Sequence, residues 1–195
     1  MILFFDTETT GFPHTTKPID HPDQPHIVEL AAELCSDDGK PVAGFSLIID
    51  PGVETGVHIP SKVAEIHGID DEKAWRLGVP PVFALEAFLQ LLMRADEVVA
   101  HNLDFDEQMM EIAFARYRLA RAAGRVLGGQ TKFCTMKSTT DICKLPSPRG
   151  GYKWPKLTEC MQHFFGEEHI NAHSALADTS ACRRVYFHLK SIGAA

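Results

Sequence analysis

Asp6 and Glu8 stand two residues apart at the end of a short apolar, β-favouring run, residues 2–5. Side chains on a strand repeat every second residue, so both carboxylates face the same side. Two carboxylates held together repel unless a cation sits between them. Hard oxygen donors of this kind suit Mg2+ or Mn2+, and a pair of such ions stabilises both the attacking and the leaving oxygen of a phosphodiester displacement. Asp-x-Glu by itself equally describes a solvated strand end, so the pair carries little weight without further acids. Asp106 is one, within the run His101-Asn102-Leu103-Asp104-Phe105-Asp106. In that run Asp104 reads as a helix N-cap and Asp106 as an acid favoured in a first helical turn by the helix dipole. His173 and Asp178 form a third group near the start of the last helix. Five residues apart, they are offset around a helix rather than stacked, so they reach one centre only from different angles.

The elements that must position these side chains follow from periodicity and breakers. Residues 2–5 read as a buried first strand, with Thr9-Thr10-Gly11 as the turn after it. Residues 12–26 carry Pro13, Pro18, Pro22 and Pro25 and read as a surface loop. Residues 27–35 and 42–50 are apolar runs joined through Asp37-Asp38-Gly39, an antiparallel hairpin. Helices are expected over 61–67, 81–95, 106–123, 156–165 and 173–192, with strands at 97–100 and 131–134. Three antiparallel strands followed by alternating strand and helix imply an α/β fold, a mixed sheet covered on both faces.

At 195 residues the chain has the length of one domain, read as 1–195. Its 45% hydrophobic and 23% charged content is that of an ordinary globular protein. The N-terminal apolar run lacks a basic leader and the length of a signal peptide, and no run approaches a membrane span, so the expected location is cytoplasmic, with no membrane partner. Five scattered cysteines without a Cys-x-x-Cys pair argue for reduced, buried thiols rather than disulfides or structural zinc. A net charge of -7 is the wrong sign for gripping nucleic acid by bulk electrostatics, so any such partner must be held locally. Lys132, Lys137, Lys144, Arg149, Lys153 and Lys156 share a stretch whose single acid is Asp141, which fits either a solvated basic loop or a local contact.

Together, Phe5-Asp6-Thr7-Glu8-Thr9-Thr10-Gly11, His101-Asn102-x-x-Phe105-Asp106 and His173-x-Ala175-x-x-Asp178 resemble the three exonuclease motifs of the DEDDh, or DnaQ-like, family. The resemblance implies a ribonuclease-H-like fold with a five-stranded mixed sheet, and two-metal hydrolysis of the 3′-terminal phosphodiester to release nucleoside 5′-monophosphates. By that similarity Asp6, Glu8, Asp106 and Asp178 hold two divalent cations, Mg2+ or Mn2+, and His173 takes the proton from the attacking water. Thr7, Thr9 and Thr10 are expected at the sugar and phosphate, Phe12 against terminal bases, His67 near the terminal sugar and Asn102 on the substrate. Trp154, beside Tyr152 and Lys153, reads as packed under the following helix, with a nucleic-acid contact as the alternative. The implied partner is the 3′ end of DNA, with a DNA polymerase in trans if the role is proofreading. The same chemistry on RNA ends is the alternative, and a catalytically silent binding module is a third reading. The five filled chemical positions count against that last one.

Overall fold

The computed structural model describes residues 1–119 and 129–195, and in this structure the central strand of the sheet is the one that ends in the acidic pair. Five strands are present among the described residues: β1 (Ile2–Thr9), β2 (Ile27–Cys35), β3 (Pro41–Ile48), β4 (Glu97–Ala100) and β5 (Thr131–Cys134). They lie in the order β3-β2-β1-β4-β5. β1 pairs antiparallel with β2, setting Phe5 opposite Ala32 and Glu8 opposite Glu29, and β2 pairs antiparallel with β3. β4 joins the other edge of β1 in parallel and β5 joins β4 in parallel, as the sequence pattern anticipates. The helices are α1 (Ser61–His67), α2 (Asp71–Leu77), α3 (Pro81–Leu92), α4 (Leu103–Arg116), α5 (Thr135–Cys143), α6 (Leu157–Phe165) and α7 (Ala175–Ser191).

Strand alternation divides β1 between two cores. Leu3 and Phe5 join Leu85, Phe88, Met109 and Phe114, residues of α3 and α4. Ile2 and Phe4 pack instead with Cys182 and Tyr186 of α7. Asp6 and Glu8 continue the parity of Ile2 and Phe4 and so fall on the α7 side, while Thr7 shares the α4 side with Phe5. The two-residue period that packs the core therefore also aims the acids.

Three elements differ from the sequence expectation. α2 and α5 are additional helices: α2 is only seven residues long, and its exposed Trp75 and Leu77 blur the periodic signal. α5 follows β5 without a turn and is rich in threonine, a weak helix former, but buries Thr135, Met136, Thr139 and Cys143. α4 begins three residues before Asp106, and the part of the expected helix from residue 120 onward lies outside the described residues. Four of the five cysteines are buried and all are free, as expected.

Gly78 closes α2 and lets the chain return to the sheet. A Cβ at this position would meet the Ala74 carbonyl oxygen at 2.3 Å and the Asp50 nitrogen at 2.4 Å, both backbone atoms that cannot swing aside. Gly78→Ala is therefore expected to destabilise the fold by about 1–3 kcal/mol, read as a drop of several degrees in Tm; an unchanged Tm would mean the close approach relaxes freely.

Candidate active site

The C-terminal ends of the parallel strands open into a cleft of about 380 Å³. Asp6, Glu8, Asp106 and Asp178 line it together with His173, Thr7, Thr9, Phe12, His67, His101 and Asn102. Thr10 is the one residue of the expected site that does not line it. Its hydroxyl oxygen accepts the His26 N–H at 2.9 Å, and its own N–H donates to the His26 carbonyl at 2.9 Å. Among the described residues, no lysine or arginine lines the cleft.

Each acid reaches the cleft from a different element. Asp6 and Glu8 come from the end of β1, where the register with β2 shifts between Glu8 and Thr9. Asp106 projects from the first turn of α4 and is 2% exposed. It accepts two hydrogen bonds from Thr7, from the backbone N–H at 3.0 Å and the hydroxyl at 2.8 Å. Asp178 lies in the first turn of α7, where a helix dipole favours a negative charge. One of its carboxylate oxygens accepts from the ring Nε2 of His169, and the other accepts the His173 backbone N–H at 3.3 Å.

His173 stands outside α7, with φ of 69°, a left-handed conformation that a residue bearing a Cβ adopts only at a cost. The offset along a helix inferred from the five-residue spacing thus does not apply; a bend in the chain brings the pair together instead. Glu8, His173 and Asp178 each offer a ligand atom within 4.8 Å of the other two.

Burial and mutual repulsion leave the acids hungry for a cation. Burial pushes the Glu8 carboxyl up to about 8, with repulsion from Asp178, Glu29 and Asp106 adding to it. Asp106 is raised to about 7, again chiefly by burial, against the opposing pull of the two Thr7 hydrogen bonds. Asp6 is raised well above the usual carboxylate range by burial and by the fields of Asp106, Asp178, Glu8 and Glu29. A cleft of four carboxylates with no lysine or arginine among the described residues on its wall is a poor place for bare charge and a fitting one for hard divalent cations. The donor set therefore fits the expected metal sites.

Several residues around the acids had not been singled out. Glu29, opposite Glu8 on β2, accepts the Ala175 N–H at 3.1 Å and the Ser46 hydroxyl at 3.0 Å. By capping the N-terminus of α7 it fixes the turn that carries Asp178. Its sequence signal is an acid within the largely apolar strand 27–35, a signal it shares with Glu33. His169 had no such signal. His101 is half-buried, and desolvation of its ring lowers its pKa to about 4, which favours the neutral form. Its Nε2 donates to the Pro155 carbonyl and its Nδ1 pairs with the Thr135 hydroxyl, both at 3.0 Å.

The remaining expected contacts divide. Phe12 is 80% exposed and meets Phe105 edge-on, with ring centroids 5.7 Å apart. His67 Nδ1 accepts from the Ile69 N–H, which leaves the proton on Nε2, a buried atom without a partner among the described residues. Asn102 begins α4 in a left-handed conformation, with φ of 75° and no capping bond from its side chain. The Thr7 hydroxyl is occupied by Asp106 and that of Thr9 by the Gly11 carbonyl, as turn chemistry provides. Asp104 is not the cap of α4. It sits inside the helix and pairs with Lys137 at 2.6 Å.

Fold and site together define a ribonuclease-H-like α/β protein with an acid-lined cleft at the ends of its parallel strands. Residues 3–186 match the RNase_T exonuclease family. The chain belongs to that family of DnaQ-like exonucleases. No curated protein matches it. Among solved structures it is similar to E. coli exonuclease I in complex with a dT13 oligonucleotide, with a TM-score of 0.78 at 18% identity over 97% of this chain and 41% of that one. The dA16 complex of the same enzyme gives a TM-score of 0.77 at 18% identity, over 97% of this chain and 40% of that one. The zinc-bound form with single-stranded DNA also gives 0.77 at 18%, with the same coverage. This chain spans about two fifths of the length of those structures, and at such identity the likeness is one of fold.

No helix among the described residues is long and apolar enough to cross a membrane.

Proposed function

We propose that this chain is a 3′→5′ exonuclease acting on single-stranded or frayed DNA, with Asp6, Glu8, Asp106 and Asp178 as its metal ligands and His173 as its general base. The observation that carries the reading is the convergence of four carboxylates beside a histidine, three of them, Asp6, Glu8 and Asp106, raised in pKa, with no lysine or arginine among the described residues on the cleft wall. Two divalent cations, Mg2+ or Mn2+, would neutralise the developing phosphoryl charge and acidify a water.

The chain's own groups do the rest. Thr7 fixes Asp106 through two hydrogen bonds, and Glu29 fixes the α7 turn beneath Asp178. His173, in its left-handed bend beside Glu8 and Asp178, takes the proton from the attacking water. Phe12, backed by Phe105, offers an exposed ring for the terminal base to stack on. His67 lines the cleft, where its ring would lie beside the terminal sugar. Release of nucleoside 5′-monophosphates follows from attack on the terminal phosphodiester. DNA is favoured over RNA by the fold's likeness to an enzyme solved with DNA oligonucleotides.

The test is digestion of 5′-labelled DNA and RNA oligonucleotides of matched sequence in Mg2+, Mn2+ or chelator. A ladder that shortens from the 3′ end, faster on DNA, and vanishes in chelator is expected. Faster loss of the RNA would reassign the substrate. Shortening from the 5′ end, or full activity in chelator, would overturn the mechanism.

A further inference from the structure

A cleft of about 380 Å³ takes the end of a strand, and the remainder of a longer substrate must cross the surface outside it. That remainder is a polyanion, and the chain it crosses carries a net charge of -7. It therefore needs a local patch of free positive charge. Of the six basic residues between 132 and 156, Lys132, Lys137 and Lys153 are paired with Glu107, Asp104 and Glu159. Lys144, Arg149 and Lys156 are exposed and have no carboxylate partner among the described residues. They frame a segment that also exposes Trp154, at 62%, and Tyr152.

This segment is built and anchored rather than loose. The Lys153 N–H donates to the Leu145 carbonyl at 2.9 Å, and the Ser147 N–H to the Gly151 carbonyl at 3.0 Å, closing the chain on itself. Glu159 binds the Lys153 ammonium at 2.5 Å and the Lys156 N–H at 2.8 Å, tying the return into α6. The decisive link is His101. It lines the cleft and holds the Pro155 carbonyl at 3.0 Å, so the residue directly after Trp154 is fixed to the cleft wall. The expectation that Trp154 packs beneath α6 is not met; a rigid mount presents its indole to solvent at the cleft's edge. An exposed aromatic beside free cations is the combination that single-stranded nucleic acid uses, bases on rings and phosphates on charges.

We infer that residues 144–156 form a second contact for the single-stranded substrate, with Trp154 stacking on a base upstream of the 3′ end and Lys144, Arg149 and Lys156 holding the adjoining phosphates. The inference rests on the exonuclease reading of the cleft and adds the path of the strand away from it.

The experiment compares kcat/KM on a dinucleotide with that on a single-stranded DNA 12-mer, in Mn2+. In Trp154→Ala the ratio of 12-mer to dinucleotide is expected to fall about tenfold, through KM on the 12-mer, in line with the loss of one stacked base. Trp154→Phe, which keeps a ring, recovers most of that ratio. Arg149→Ala combined with Lys156→Ala lowers the dependence of 12-mer log KM on log salt by about 1.4, the effect of two lost phosphate contacts on a single strand. An unchanged ratio in Trp154→Ala, an equal loss on both substrates, or an unaltered salt slope in the double variant overturns the second contact while leaving the cleft's chemistry standing. A wild-type protein that cleaves neither substrate overturns the exonuclease reading itself.

Discussion

Asp6→Asn is expected to remove the nuclease activity and at the same time make the metal-free protein more stable at pH 8. The two effects share one cause. Asp6 is half-buried among Asp106, Asp178, Glu8 and Glu29, its pKa raised first by desolvation and then by those charges, and no lysine or arginine among the described residues lines the cleft to offset them. Its ionised form is a standing destabilisation that a divalent cation held there would relieve. Asparagine keeps the shape and removes the charge. The neighbouring Glu8 and Asp106 lose one source of repulsion, so the Tm in chelator should rise by several degrees. Activity in Mn2+ should fall by on the order of 10³-fold or more, because several kcal/mol of transition-state charge stabilisation depend on cations held at this point. His173→Ala makes the comparison informative. A general base contributes about 10²–10⁴ in rate, but the removal of His173 relieves no carboxylate repulsion and should give no comparable stabilisation. Full activity in Asp6→Asn, or a Tm in chelator that falls instead of rising, would remove Asp6 from the metal site.

That trade between stability and function explains why the centre was legible in the sequence. Two acids at the end of an apolar strand make little sense as packing, and three acidic segments in a set order leave few alternatives to a metal site. The sheet was legible for a related reason. The apolar runs of β1 and β2 and the turn between β2 and β3 state their geometry locally. What escaped depends on how loops and distant segments fold onto one another. Glu29 matters because α7 starts above it, 146 residues along the chain. His169 matters because a loop folds it onto Asp178. Thr7 resembles any turn threonine until α4 places Asp106 against it, 99 residues away. Trp154 reads from sequence as interior because tryptophans usually are buried, yet a hydrogen bond from His101 to the next residue's carbonyl mounts it at the surface. Asp104 reads as a cap from its place before Asp106, and a helix that begins at Leu103 turns it to face Lys137 instead.

The same electrostatics gives the metal-free protein an unusual pH profile. An ordinary carboxyl titrates near 4 in the unfolded chain. In the folded protein Glu8 titrates at about 8, Asp106 at about 7, and Asp6 well above the usual range. Between pH 4 and pH 8 the folded state therefore binds protons that the unfolded chain has released. Their contribution to stability is fully present below about pH 4 and is lost as pH rises through 7 and 8. Surface carboxylates act in the opposite sense: Lys40 and Ser36 hold Asp38 at about 2, and Asp71 and Glu167 are also lowered by their partners, so stability is lost again in strong acid. His26 and His101, both lowered to about 4 by desolvation, lose their contribution as pH falls from about 6.5 to 4 and offset the cleft acids there, so in chelator the Tm should peak near pH 5–6 and fall by roughly 5 °C or more by pH 8.5. Mg2+ or Mn2+ should reverse the alkaline limb, because cations bind the deprotonated acids of the folded state and compete with protons for them. The gap between Tm in Mn2+ and Tm in chelator is then expected to widen steadily from pH 5.5 to pH 8.5. In Asp6→Asn it should shrink at every pH. A metal-free Tm that climbs from pH 6 to pH 8.5 would show that the cleft acids ionise without penalty, and with that the physical basis for assigning them to a cation would be gone.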